Sequence, residues 1–442
     1  MHSPRPRRRR SWRPPAIAVA VLIVVAACGG TSSATPTGAI SASPSPAPTA
    51  SVAPPDGSAS ASPAGSPDDA AVYAAIEAQV QELRGLKAKS PLDPKLLDEA
   101  TLKTNIEKSF LSANPPDQLA ATQRIYELMG LVPAGTDLKA LYLELLASQV
   151  AGYYDDDTKE LYVVSRSGGL GPTERVVFAH EFDHALQDQN FGLNNLHLDA
   201  IGQGDRSLAA LAVPEGDATL LMTLWAQGNL TPADLVQLLK DSTDPEQQKV
   251  LAKMPPLLRE SLTFPYTAGL QLVGNARATG GWPAVDALYA KPPVSTEQVL
   301  HPDKYAADEA PVAVTFPADL AKRLGSGWSV ATQDTLGEFV LRTWLANGGA
   351  VTAPVAETAA SGWGGDRIAL VQNGDRSGIV IDTRWDTAAD ANEFAAAAGS
   401  TLEKLVDRHA LIHIDGSDRV TLFVATDDAT IEALAGALGL AG

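Results

Sequence analysis

Two histidines four residues apart, with a glutamate directly after the first, make the string His180-Glu181-Phe182-Asp183-His184. On a helix, residues at i and i+4 share a face with Cβ atoms about 5–6 Å apart, so both imidazoles can reach one metal ion. Glu181 then stands close enough to hold a water at that metal and take its proton, the chemistry of metal-assisted hydrolysis. The alternative for this pattern is a pair of histidines satisfied by solvent or by the core. A third ligand separates the two readings.

A catalytic zinc takes three protein ligands and keeps one position open. One arrangement puts a third histidine six residues past the second, after a glycine, but Gln187 and Asn190 hold those places. The only cysteine, Cys28, stands near the N-terminus, so neither a thiolate ligand nor an internal disulfide is available. The other arrangement takes a glutamate from a later helix. Glu215, 31 residues beyond His184 in Pro214-Glu215-Gly216-Asp217-Ala218, fits it. Gly216 would let two helices approach closely, and Asp217 could orient a histidine through its second nitrogen. The competing view starts an exposed turn at Glu215, after Pro214 at a first helical position. Asp199 and Asp205 are the fallback ligands, and His197 reads as a loop residue.

The elements that must position these residues are mostly helical. Gly171-Pro172 is a start signal and Phe191-Gly192 a stop signal for the helix carrying the motif. Before it, apolar spacing predicts helices over 68–89, 94–112, 116–131 and 137–149. Aromatic and β-branched residues around Asp155-Asp156-Asp157 predict a hairpin over 151–164. After the motif come helices over 205–227, 231–239 and 245–264, then one from Phe264 that breaks near Gly280-Gly281-Trp282. The turn-rich stretch 292–302 reads as a loop, and Val312, Val314 and Phe316 as a short β run. Beyond it, a helix over 334–345 precedes strands 367–372 and 378–385, helix 388–406, strands 409–414 and 419–425, and helix 430–438. The implied fold class is α+β. A mostly helical domain over 68–312, with a hairpin or small sheet before the HExxH helix, is followed by a smaller ββαββα domain over 313–442. His409 and His413 share one face of a strand there and read as structural.

The N-terminus speaks to compartment. Arg5, Arg7 to Arg10 and Arg13 precede an unbroken apolar run of twelve residues, Ala16 to Ala27, too short to span a bilayer and right for a signal sequence. It ends in Val25-Ala26-Ala27-Cys28-Gly29, which resembles a bacterial lipobox, so residues 1–28 read as a lipoprotein signal with Cys28 as the lipidated residue. Residues 29–67, rich in Ser, Ala and Pro, read as a disordered tether. The expected location is therefore a membrane's extracytoplasmic face, reached through the N-terminal lipid. Losing six arginines takes the net charge from −18 to −24. So acidic a body excludes nucleic acid as a partner and is repelled by anionic headgroups.

AHEFDHALQDQNF followed by VPEGDA resembles the gluzincin metallopeptidases. YYDDDTKELYVV, FPYTAG and PPVSTEQVLHP are similar to a group of uncharacterised bacterial secreted HExxH proteins, often lipoproteins. The likeness runs from about residue 70 to 310 and implies a zincin-like domain, a Zn²⁺ cofactor, a peptide or protein substrate and a hairpin edge that pairs it. His180, His184 and Glu215 would be ligands, Glu181 the base, and Tyr266 or His301 the oxyanion donor. The expected function is zinc-dependent peptide hydrolysis. A lipid-anchored binding protein on the same scaffold is the alternative, and retention of Glu181 speaks against a purely structural zinc.

Overall fold

The computed structural model describes residues 67–165 and 169–440; the signal run, Cys28 and the Ser/Ala/Pro tract lie outside them. The helical region opens with α1 (Pro67–Arg84), β1 (Lys95–Leu97), α2 (Glu99–Ala113), α3 (Pro116–Met129) and α4 (Leu138–Gln149). The hairpin strands β2 (Gly152–Asp155) and β3 (Glu160–Val164) lead into α5 (Pro172–Phe191). Then follow α6 (Gly204–Asn229), α7 (Pro232–Ser242), α8 (Pro245–Lys253), α9 (Pro256–Ala290), α10 (Thr296–Leu300) and α11 (Pro302–Ala306). The architecture is mixed α+β, and among the described residues no helix is long and apolar enough to cross a membrane.

The hairpin forms as its pattern requires, with Tyr153 opposite Tyr162 and their rings stacked at 4.6 Å. It belongs to a three-stranded sheet in the order β1-β3-β2, in which β1 runs parallel to β3. That third strand lies where the spacing predicted helix. The Asp98 side chain accepts from Thr101 N at 2.7 Å and starts α2 at Glu99, leaving Lys95–Leu97 extended against Tyr162 to Val164. Such a pairing is tertiary and leaves no local signal. The stretch 292–302, read as a loop, contains α10, capped by Ser295 Oγ on Gln298 N at 3.2 Å.

The C-terminal part comprises α12 (Leu320–Leu324), β4 (Ser329–Asp334), α13 (Gly337–Asn347), α14 (Ala353–Ala360), β5 (Trp363–Asn373), β6 (Arg376–Trp385), α15 (Ala388–Leu402), β7 (His409–Ile414), β8 (Arg419–Ala425) and α16 (Asp428–Ala437). Its strands form an antiparallel sheet in the order β4-β5-β6-β8-β7. Ile368, Leu370, Ile379, Ile381, Leu422 and Val424 face one core, whereas Ala369, Val371, Val380 and Phe423 face another with Ile431 and Leu434. Helices therefore cover both faces, the two-residue period of a strand assigning alternate side chains to each. β4 and α14 are additional to the ββαββα pattern. The run at 312–316 forms no strand and makes one backbone bond, Val312 N to Gly364 O at 2.7 Å. α3 also joins this core through Ile125, Leu128 and Met129, and Arg124 Nε donates to Ser377 Oγ at 2.7 Å.

One crossing frames the site. At Gly216 on α6 an added Cβ would lie 2.2 Å from Gly269 O, and at Gly269 on α9 it would lie 2.3 Å from Ala212 O. The two backbones touch, so the close approach expected of Gly216 is made to α9 and not to the HExxH helix. The crossing fixes Glu215 and Tyr266 relative to each other. Gly269→Ala must push these helices apart and should cost about 1–3 kcal/mol by urea denaturation. An unchanged midpoint would show that the contact is looser than this.

Candidate metal centre

Residues 176–188 of α5 are buried without a break, so the helix is a central strut and not a surface helix. Pro172 occupies its first turn and Gly192 ends it at φ 74°. Val177, Phe178, Phe182 and Ala185 pack with Tyr73, Ile76 and Val80 of α1, the hairpin's Tyr154, Leu161 and Val163, and Leu221 and Trp225 of α6. That apolar packing leaves the histidines on the face toward Glu215.

There the three expected ligands meet. His180 Nε2 and His184 Nε2 stand 3.1 Å apart, and Glu215 Oε2 lies 3.4 and 3.3 Å from them. Metal–ligand bonds of about 2.0–2.1 Å at tetrahedral angles put ligand atoms roughly 3.3–3.4 Å apart, so this triangle fits a zinc ion. Both carboxylate oxygens of Glu181 are buried with no hydrogen-bond partner, the feature a metal-held water would satisfy. Gly152 on β2 rests against this glutamate: a Cβ there would meet Val177 Cγ1 at 2.6 Å, Tyr162 O at 2.8 Å and Glu181 Cγ at 3.2 Å. The close approach makes Gly152 part of the site, and the hairpin pattern alone gave no sign of it.

Electrostatics follow from burial. His180 is lowered from its ordinary value by burial. Burial raises Glu181 well above the ordinary range; His184 pulls it down and Glu215 pushes it up. For His184, burial acts downward, but the Glu215 carboxylate outweighs it and holds the imidazole at about 10. Glu215 is likewise pushed up by burial and pulled further down by His184 and His180, to about 2. Without metal the site therefore holds a His184–Glu215 ion pair.

The other expected residues sort differently. Tyr266 stacks on His180 with ring centroids 6.2 Å apart, so it borders the cluster. Leu102 and Ile106 of α2 pack with it, Val150 and Val164, covering that side. His301 does not reach the cluster; its Nε2 lies 2.9 Å from Glu338 Oε1 where α10 meets α13. Asp217 orients no histidine. It accepts from Arg84 Nε at 3.0 Å, Arg84 Nη2 at 3.0 Å and Tyr289 OH at 2.8 Å. Residues two apart on a helix do not share a face, so Glu215 and Asp217 point to different neighbours. Asp205, a fallback ligand, is held by Thr296 Oγ1 at 2.5 Å. A second acidic group, Glu297, Glu309 and Asp386, surrounds Lys304 Nζ at 2.6–2.7 Å, so an ammonium already satisfies it. The sequence reading missed Arg84, a lone cation at a helix end whose partner lies 133 positions away.

A family described as a domain of unknown function (DUF8575) matches residues 323–436, the part built on the five-stranded sheet. No curated protein and no solved structure matches the chain.

Two outcomes follow. Arg84→Leu leaves Asp217 buried without its cation and should cost about 3–5 kcal/mol in denaturation, whereas Arg84→Leu with Asp217→Leu should cost less than the single change. The metal-free protein should show the His184–Glu215 pair in its pH profile. His184 is raised above its ordinary 6.5, so its contribution is complete below that pH and lost as pH rises through about 10. Glu215 is depressed below 4.5, so its contribution is complete above that pH and lost as pH falls through about 2. The melting-temperature difference between wild type and Glu215→Gln should thus peak at about pH 5–6; a flat difference would mean that the pair is not formed.

Proposed function

We propose that the chain is a gluzincin-like zinc peptidase, its body zincin-like over the helical region, held at the outer face of a bacterial membrane through Cys28. The observation that carries this reading is the triangle of His180 Nε2, His184 Nε2 and Glu215 Oε2 at 3.1–3.4 Å, with an unpartnered Glu181 carboxylate beside it. A bound zinc would lower the pKa of water toward neutrality and polarise a substrate carbonyl. Glu181 takes the proton of the attacking water and passes it to the leaving amine, a task suited to a carboxyl raised by burial. β2 is an outer strand of its sheet and lies on Glu181 through Gly152, so a peptide adding beside it would bring its carbonyl to that carboxylate. Tyr266, next to His180, is the donor proposed for the developing oxyanion.

A second reading, a lipid-anchored binding protein on the same scaffold, draws on one observation: His180, Glu181 and His184 are 0% exposed, so a substrate needs an opened conformer. Glu181→Gln separates the two. In the peptidase reading it abolishes cleavage of casein or a quenched peptide library while zinc content and melting temperature stay close to wild type. Chelation, or Glu215→Ala, lowers the melting temperature by several degrees, since zinc at a thousandfold excess over Kd stabilises by about 4 kcal/mol. A zinc-loaded wild type that cleaves nothing in broad libraries would favour the binding protein.

A further inference from the structure

Gln187 lies three residues after His184 and four after Asp183, so all three side chains share one stretch of α5. Its Nε2 stands 2.7 Å from Asp183 Oδ2 and 3.2 Å from Pro214 O, and its Oε1 stands 2.9 Å from His184 Nδ1. Gln187, Asp183 and His184 are all 0% exposed, so no water competes for these groups. A backbone carbonyl can only accept, so Pro214 O requires the nitrogen end of the amide to face it. Turning the amide over would set oxygen against oxygen there. The oxygen end therefore faces His184, and an amide oxygen also can only accept.

We infer that Gln187 is a positioning residue of the metal centre: it holds a proton on His184 Nδ1 and thereby presents Nε2 to the ion. The inference rests on the zinc reading above and extends it. A neutral amide does here what a carboxylate commonly does for a metal-bound histidine. Because Pro214 directly precedes Glu215, the same amide also ties α5 to the turn of α6 that carries the third ligand. One side chain thus sets the ring orientation of one ligand and the approach of another.

The test is zinc affinity of the full-length protein by competition with a chromophoric chelator, with the visible spectrum of the Co²⁺ form alongside. Gln187→Met keeps the volume and removes both ends of the amide. It should raise the zinc Kd by about 10–100-fold and alter the Co²⁺ bands. Asp183→Asn can still accept from Gln187 through its amide oxygen and should change Kd by less than about threefold. Wild-type zinc binding with an unchanged Kd in Gln187→Met would overturn the role of Gln187 and leave the zinc reading standing. A wild type that binds no zinc would overturn both. If Gln187→Met does not fold, long-range ¹H–¹⁵N spectra of zinc-loaded wild type decide. A slowly exchanging proton on His184 Nδ1 with metal at Nε2 is expected; coordination through Nδ1 overturns the inference.

Discussion

The contact between α5 and α6 buries ionisable groups almost wholly away from water, and the rest of the helical region is arranged around that fact. His180, Glu181, Asp183, His184 and Asp217 are 0% exposed, and Glu215 and Arg84 only 1%. An isolated charge in such a place costs several kcal/mol, so each must find a counter-charge, a hydrogen bond or a proton. Glu215 finds the two imidazoles. Asp217 finds Arg84, which also lies 4.5 Å over the Trp282 ring. Asp183, with the Asp217 carboxylate nearby, is raised above the ordinary carboxylate range by burial. Glu181 has no hydrogen-bond partner, and burial answers with a raised proton affinity.

Satisfying these charges recruits distant elements. Arg84 ends α1, and its partners Asp217 and Asp286 belong to α6 and α9, so one guanidinium joins three helices beside the histidine–glutamate cluster. The Gly216–Gly269 contact brings α6 and α9 to backbone distance, and the turn of α9 before it supplies Tyr266. On the other side, Leu102 and Ile106 of α2 rest on Tyr266, while Tyr153 OH accepts from Asn105 of the same helix at 2.9 Å. α2 thus covers Tyr266, and it is itself held to α4 by Phe110 against Tyr142.

The C-terminal sheet meets the helical region without contributing to the His180–His184–Glu215 triangle. Glu338 of α13 receives His301, Asp366 accepts from Leu336 N and Gly337 N, and Asp205 at the start of α6 accepts from Thr296. Burial raises Asp205 well above its ordinary value and holds Asp366 at about 6. The His301–Glu338 pair and the bond from Asp205 N to Thr335 O at 3.2 Å cross the junction, where α3 also enters the sheet's core.

What the sequence determined by itself was local in origin. A four-residue period put His180 and His184 on one helix face, alternation around an Asp-rich turn made the hairpin, and proline and glycine bounded α5. Glu215 was legible because a charged residue in an apolar helical stretch needs a partner, and because no cysteine or third histidine was available. Tertiary structure decided what depends on contacts far apart in the chain. β1 is extended because β3 lies beside it, Asp217 faces Arg84 because residues two apart diverge on a helix, and His301 meets Glu338 because α10 packs on α13. Gln187, visible in the sequence only as a place where a third ligand was missing, is oriented by a carbonyl 27 residues away on another helix. Spacing along a chain sets which side chains share a face; which face meets which is set by packing, and no local pattern records it.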